Sequence, residues 1–343
     1  MNKKVIFIFS AVIAVIAVIG ISLIFLSASD NTEDHIASSQ GLPDEIVIDY
    51  ALWNYLGLVV KEHKLLEDEF KNDGVKIRWV RSLSGGEAVN YLMTGSVDFA
   101  AAAASAALIS FINGSPITSI YTVQDVLNTL MVAPGSDINS VEELKGKKVA
   151  LIPGTNPYIA FNKALISAGL SLNDVESVTL QYPDGMNELL RGRVDAWGGS
   201  QPLDIEAERE GARFLYKGYP APNLLHVRSE FAEKYPHVVQ RVVNVHEAAR
   251  QWAVNNPDEY VSLISKATNF SPDILTRTLE TVSINEFYIT DVHIQFMLDL
   301  EPILRNLGII NEGYDFKSAV NDLVDRSFVQ ELDKNRDTLA NTR

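Results

Sequence analysis

Residues 81–107, RSLSGGEAVNYLMTGSVDFAAAAASAA, decide how the rest of the chain is read. Just before them, residues 75–80 alternate enough for a short strand. Ser82-Leu83-Ser84-Gly85-Gly86 breaks that strand, and residues 87–93 have helical character. Thr94-Gly95 stops the helix, and Val97-Asp98-Phe99 opens another strand. A strand that feeds a Ser/Gly loop and then a helix points unpaired backbone N–H groups at one spot. The helix dipole adds partial positive charge there, which suits a phosphate, sulfonate or carboxylate. The same residues would also serve as a plain cap, with Ser84 accepting from the first turn and the glycines permitting the bend.

Working outward, a chain of 343 residues suits one large or two medium domains. There is no cysteine, which removes disulfides, thiolate catalysis, zinc–thiolate sites and lipid attachment through a terminal cysteine. A formal net charge of −15 argues against nucleic acid as partner, since that role leaves a basic stripe. Any anion site must therefore be built locally from N–H groups and dipoles, against an unfavourable overall field.

The N-terminus has the pattern of a targeting segment. Asn2-Lys3-Lys4 gives a positive start, residues 5–26 are uncharged and apolar, and Ser27-Ala28-Ser29 offers small residues for cleavage. The apolar run would be roughly 33 Å long as a helix, so an uncleaved membrane anchor fits beside a signal peptide. Residues 1–29 are thus expected to be a signal peptide or anchor and residues 30–43 a flexible tether. Either way the remainder works outside the cytoplasm.

From residue 45 the order strand, helix, strand, helix, strand argues for an α/β fold with a mostly parallel sheet. Residues 55–70 have helical spacing, and residues 118–123 and 129–133 read as two strands around a polar break. A second α/β block follows. It has a short helix at 141–144, a strand at 149–152, the loop Pro153-Gly154-Thr155-Asn156-Pro157, and a helix over 158–168. Residues 178–181 and 194–197 are further strands, with helices at 186–191 and 203–210. The two blocks are alike: Gly95-Ser96-Val97-Asp98 in the first answers Gly192-Arg193-Val194-Asp195 in the second. Asp98 and Asp195 then read as junction residues with one local role, not as catalytic acids. Residues 214–217 and 224–227 look like strands flanking a Gly/Pro-rich crossing. Beyond them helices are expected at 236–255, 257–267, 271–282 and 291–307.

Catalytic patterns are missing. No Gly-x-Ser-x-Gly elbow, His-Glu-x-x-His helix, Walker loop or Gly-x-Gly-x-x-Gly fingerprint is present. His63, His226, His237, His246 and His293 show no metal-ligand spacing and read as surface or capping residues, so neither metal nor cofactor is expected.

Several pieces occur in an order that resembles extracytoplasmic substrate-binding proteins of ABC importers, in the nitrate, sulfonate and taurine group that includes thiamine-pyrimidine binders. They are Ser84-Gly85-Gly86-Glu87-Ala88, Thr94-Gly95-Ser96-Val97-Asp98-Phe99, Gly114-Ser115-Pro116-Ile117, Val141-Glu142-Glu143-Leu144-Lys145-Gly146-Lys147-Lys148-Val149-Ala150, Pro153-Gly154-Thr155-Asn156 and Gly192-Arg193-Val194-Asp195-Ala196-Trp197. The resemblance spans residues 45–235. It implies the two-lobed periplasmic-binding-protein fold of type II, with a ligand cleft between the lobes and two hinge crossings. Residues 44–128 with 224–330 would form lobe 1, residues 129–223 lobe 2, and a helical C-terminal tail would pack on lobe 1. Residues 331–343 would fray.

The resemblance places ligand contacts at Trp53 and Asn54, at Ser84, Gly85 and Gly86, at Ser105, at Thr155 and Asn156, and at Trp197 and Gln201. Two departures matter. Ala102-Ala103-Ala104-Ser105 replaces a more polar turn, and Gly154-Thr155-Asn156 replaces Gly-Ser-Ser. Thr155 and Asn156 can still cap a helix, so an anion contact survives. Trp53, Tyr55, Tyr158 and Trp197 lie beside these loops and are either core packing or a wall for an organic ligand body. Arg81 is either a charge-assisted anion contact or a solvated strand end. Enzymes of this fold that make the thiamine pyrimidine use a cysteine-rich motif, which a cysteine-free chain lacks. The implied function is a monomeric, non-enzymatic receptor that captures a small organic anion and delivers it to a permease and ATPase in the membrane. The alternatives are an extracellular sensor using the same cleft and an enzyme on this fold.

Overall fold

The structure, a computed structural model, describes residues 41–285, 288–330 and 332. The expected leader, most of the tether and all but Leu332 of the expected tail lie outside the described residues.

A single nine-stranded sheet runs through the molecule in the order β2-β1-β3-β8-β4-β7-β5-β6, with β9 pairing β4. At one end β1 (Glu45–Tyr50), β2 (Lys76–Arg81) and β3 (Phe99–Ala103) are parallel. At the other, β5 (Lys148–Leu151), β6 (Glu176–Thr179) and β7 (Ala196–Gly199) are parallel in turn. Between them β4 (Ile117–Val132) and β8 (Arg213–Arg228), each 16 residues long, lie antiparallel and belong to both halves. Each is one continuous strand where the sequence suggests two strands and a break. The polar run Gln124-Asp125 and the prolines of residues 218–222 do not interrupt pairing. Register shifts between Ser119/Tyr121, Thr122/Gln124 and Leu127/Thr129 absorb them, and β9 (Val282–Ser283) pairs Asp125 and Val126 from the other side. These two strands are the only sheet connection between the halves among the described residues.

Helices flank each half. In the first, α1 (Tyr55–Glu62) and α2 (Leu65–Phe70) replace the single helix expected over 55–70, because Lys64 takes a left-handed conformation with φ 55°. They are followed by α3 (Gly85–Met93) and α4 (Ala104–Ile112), and in the second half by α5 (Asn156–Ser167), α6 (Tyr182–Leu190) and α7 (Leu203–Arg209). The short helix expected at 141–144 is a single 3-10 turn over Glu142–Leu144. The internal likeness holds at bond level. In the first half Val47 N donates to Asp98 Oδ2 at 2.8 Å while Asp98 N donates to Val47 O at 2.7 Å. In the second, Lys148 N donates to Asp195 Oδ2 and Asp195 N to Lys148 O, both at 2.8 Å. Each aspartate, one residue ahead of its own strand, staples that strand to the first part of its parallel neighbour.

The C-terminal part is helical: α8 (Ser229–Lys234), α9 (Pro236–Asn255), α10 (Pro257–Thr268), α11 (Pro272–Leu279), α12 (Asp291–Leu298), α13 (Glu301–Asn306) and α14 (Phe316–Leu323). The helix expected over 291–307 is split, since Pro302 opens α13. Helices α9 and α10 pack on α1, and α14 packs on α4, so the tail rests on the first half. It also reaches the second half, where Arg209 pairs with Asp273 at 3.0 Å, Arg277 with Glu208, and Lys163 with Asp299 at 3.2 Å. These pairs are exposed, and each contributes about 0–1 kcal/mol.

Candidate functional site

The loops that follow the strands meet where the two halves face each other. At the first, Ser84 is extended and its Oγ accepts from Glu87 N at 3.2 Å. Glu87 reaches back to accept from Leu83 N at 2.6 Å, and Tyr91 donates to it at 2.6 Å. These bonds, that from Tyr91 first, hold its carboxyl below the ordinary range. Among the described residues no side chain caps the N–H groups of Gly85 and Gly86, which therefore stay open at the start of α3.

Gly85 also brings two helix starts together. A Cβ at this position would lie 3.6 Å from Ala103 N and 3.7 Å from Ala102 Cβ, so the first turn of α3 rests beside the start of α4. Ala103, the residue before α4, has no side chain with which to cap it. One residue into α4, the buried Ser105 donates its Oγ proton to Asn156 Oδ1 at 2.6 Å. Asn156 opens α5, so this bond spans the two halves and joins the starts of α4 and α5. The amide nitrogen of Asn156 is buried and has no partner among the described residues. An unmet buried donor costs about 1–3 kcal/mol.

Thr155 plays a different part from the one expected. It precedes α5 in an extended conformation, but its hydroxyl donates to Ile152 O at 2.7 Å and caps nothing. The N–H groups that open α5 therefore remain free of side-chain capping, and Pro157 has none to offer. Asn54 is buried and caps α1 by accepting from Gly57 N at 3.0 Å. Half-buried Trp53 is held through its backbone: Gln124 donates to Trp53 O at 2.9 Å and accepts from Tyr55 N at 3.3 Å, tying the 53–55 loop to the crossing strand. Trp197 lies inside the second half. It is 1% exposed and packs on Gly185, where a Cβ would come within 2.5 Å of the indole nitrogen. Gln201 donates to Leu127 O at 2.9 Å and Thr281 Oγ1 at 3.2 Å, so it binds the crossing strand to the turn before β9. Tyr55 and Tyr158 are buried, and Arg81 is exposed.

Sequence reasoning passes over several buried polar groups here. Asp49 is 2% exposed on β1, accepts from Ser82 Oγ at 2.6 Å and Ala101 N at 2.8 Å, and burial pushes its carboxyl up to about 7. Its signal is an acid at the end of the apolar run IVI in the strand EIVIDY, on the face that Val47 buries. Asp204, at the start of α7, accepts from Thr129 Oγ1 at 3.0 Å and burial raises it to about 6. Three histidines read as surface or capping residues are buried. His226 meets Ser119, His246 bonds Val242 O, and His293 lies 3.2 Å from Asp125 while also closing the capping box of α12. Among the described residues no group of His, Asp and Glu could hold a metal ion.

A family model described as NMT1/THI5 like matches residues 68–260, more than half of the chain. The chain belongs to the NMT1/THI5-like family. A Bacillus subtilis (strain 168) protein named for aliphatic sulfonate binding is 29% identical over 281 residues, covering 80% of this chain and 83% of that protein. The alkanesulfonate-binding protein SsuA of Xanthomonas axonopodis pv. citri, solved bound to MOPS, superposes with a TM-score of 0.72 at 21% identity, over 83% of this chain and 99% of that one. The periplasmic aliphatic sulphonate binding protein SsuA of Escherichia coli gives 0.71 at 21% identity, over 80% and 91%. These likenesses fix the fold of this NMT1/THI5-like chain as the two-lobed periplasmic-binding-protein type, with two crossings and a cleft between the lobes.

Proposed function

We propose that this protein is the extracytoplasmic solute-binding component of an ABC importer, and that it captures a small organic sulfonate between its lobes. The observation that carries this reading is the Ser105–Asn156 bond with the unpartnered Asn156 amide, set among the starts of α3, α4 and α5. The sulfonate oxygens would take the N–H groups of Gly85 and Gly86, those opening α4 and α5 at Ser105 and Asn156, and Asn156 Nδ2. Trp53 and Asn54 would wall the organic end. Trp197 and Gln201 would act from behind, by holding the second lobe and the crossing in place. Ser84, Ser105, Thr155 and Asn156 are neutral, and such a ring suits a monoanion with an organic body. Relatives named as sulfonate-binding proteins support the ligand class.

Residues 44–128 with 224–330 would move as one lobe and residues 129–223 as the other, bending at residues 123–129 of β4 and 217–223 of β8. The partners would be a membrane permease and its ATPase, with the receptor acting as a monomer behind its leader or anchor. Among the described residues no helix is long and apolar enough to cross a membrane, so tethering would fall to residues 1–29. No chemical step is assigned to the cleft, since the relatives are binding proteins.

Calorimetric titration of the purified protein with methanesulfonate, ethanesulfonate, MOPS, taurine, sulfate and nitrate tests the reading. Saturable binding of an organic sulfonate, with a matching rise in melting temperature, is the expected result. Binding of nitrate alone, or no binding by any of the six, would overturn it.

A further inference from the structure

Asp49 is a buried carboxyl bonded to the segments that lead into α3 and α4, and neither of its hydrogen bonds comes from a cation. Ser82 leads directly into the loop that opens α3, and Ala101 lies three residues before α4. Both partners of the carboxyl therefore belong to the segments whose N–H groups face the cleft. The surroundings offer little compensating charge. Strand β3 and helix α4 carry no ionisable side chain. Helix α3 brings Glu87, already occupied by Leu83 and Tyr91, together with Tyr91 itself. Strand β2 ends in Arg81, which is exposed, while Lys76 and Arg78 stand toward the far end of the ladder beside Glu45. Helix α1 carries Lys61 and Glu62 in its last turn, where they pair with each other at 3.0 Å. Among the described residues an ionised Asp49 thus has no cation at hydrogen-bond distance, and both its partners lie on the segments that lead into α3 and α4.

We propose that Asp49 sets the charge selectivity of the cleft, taking up a proton when a monoanion binds and disfavouring dianions. The proposal rests on the anion-binding reading above and goes beyond it in naming the group that chooses among anions. Repulsion between Asp49 and the guest scales with the guest's charge, so a dianion meets twice the opposition of a monoanion at the same place. Protonation of Asp49 relieves both. By linkage, the anion must raise the proton affinity of Asp49 by the factor by which the proton raises the anion's affinity. Burial already lifts this carboxyl to about 7, against the two hydrogen bonds that favour its charged form, so the exchange falls in the physiological range.

The test uses the full chain and two probes, methanesulfonate as monoanion and sulfate as dianion, in sulfonate-free buffers of different protonation enthalpy. Near pH 8 the natural protein should take up a fraction of a proton per methanesulfonate bound. Its affinity should fall by up to about tenfold per pH unit through the titration of Asp49. Asp49→Asn keeps an acceptor for Ala101 N and can donate to Ser82 Oγ. It should bind with no buffer dependence and, near pH 8, shift preference toward sulfate about twofold. Equal proton uptake and equal sulfate discrimination in the two proteins would overturn the proposal while leaving the anion site standing. Independently of any ligand, the side-chain carboxyl resonance of Asp49 should titrate near neutrality, and an ordinary carboxylate titration would also overturn it. Failure of both probes to bind at any pH would remove the anion-binding reading, and this proposal with it.

Discussion

Removing the Asn156 amide should separate binding from folding. Its Nδ2 has no partner among the described residues, so Asn156→Ala surrenders one acceptor for Ser105 and relieves one unmet donor. The stability change should stay within about 1 kcal/mol, while affinity for a methanesulfonate probe falls about ten- to a hundredfold, the worth of a charge-assisted bond. Calorimetry and a thermal melt on the same sample check both. Undiminished affinity would take the amide out of the site. Thr155→Ala should be far milder on affinity, because the Thr155 hydroxyl donates to Ile152 O and caps no helix.

Among the elements, the paired strand staples carry a stability prediction. Asp195→Ala strips Lys148 N of its side-chain acceptor and should lower unfolding stability by about 1–3 kcal/mol. Asp98→Ala should cost more, since Asp98 also holds the largely buried Arg228 at 2.8 Å. The two losses should add, because the staples lie in different halves and share no partner. Denaturant melts of the single and double variants measure this. A strongly non-additive pair would mean that the halves are coupled more tightly than two crossing strands imply.

For the whole molecule, opposing titrations shape stability against pH. Burial pushes His226 and His246 down to about 4 from an unfolded value near 6.5. Between those limits the unfolded chain binds more protons, so stability falls as pH falls through that window. Asp49 and Asp204 are raised by burial to about 7 and about 6 from 3.8, so from there upward the folded chain binds more protons. Their contribution falls as pH rises through that window. The two slopes oppose, and the profile should be flat in mild acid. Asp49→Asn removes one falling contribution. Its melting temperature relative to the natural protein should therefore climb steadily from about pH 5 to about pH 8. A difference that does not change with pH would show that Asp49 titrates as an ordinary carboxyl.

What the sequence determined by itself was the local grammar. Ser84-Gly85-Gly86 had to open a helix, Gly95 and Gly192 had to close one, and Asp98 and Asp195 had to sit at equivalent junctions. Those features act within a few residues, and with the ordered motifs they were enough to reach the two-lobed fold. Only the tertiary structure decided that residues 117–132 and 213–228 are unbroken strands. Each satisfies through the other, and through β9, the polar positions that look like breaks in isolation. It also decided that Trp197 packs on Gly185, that three histidines are buried, and that Asn156 and Asp49 are buried polar groups, the first with an unmet amide donor and the second bonded to Ser82. The reason is physical. Capping and turn chemistry depend on neighbours in the chain, whereas desolvation and an unmet hydrogen bond depend on what other segments bring near.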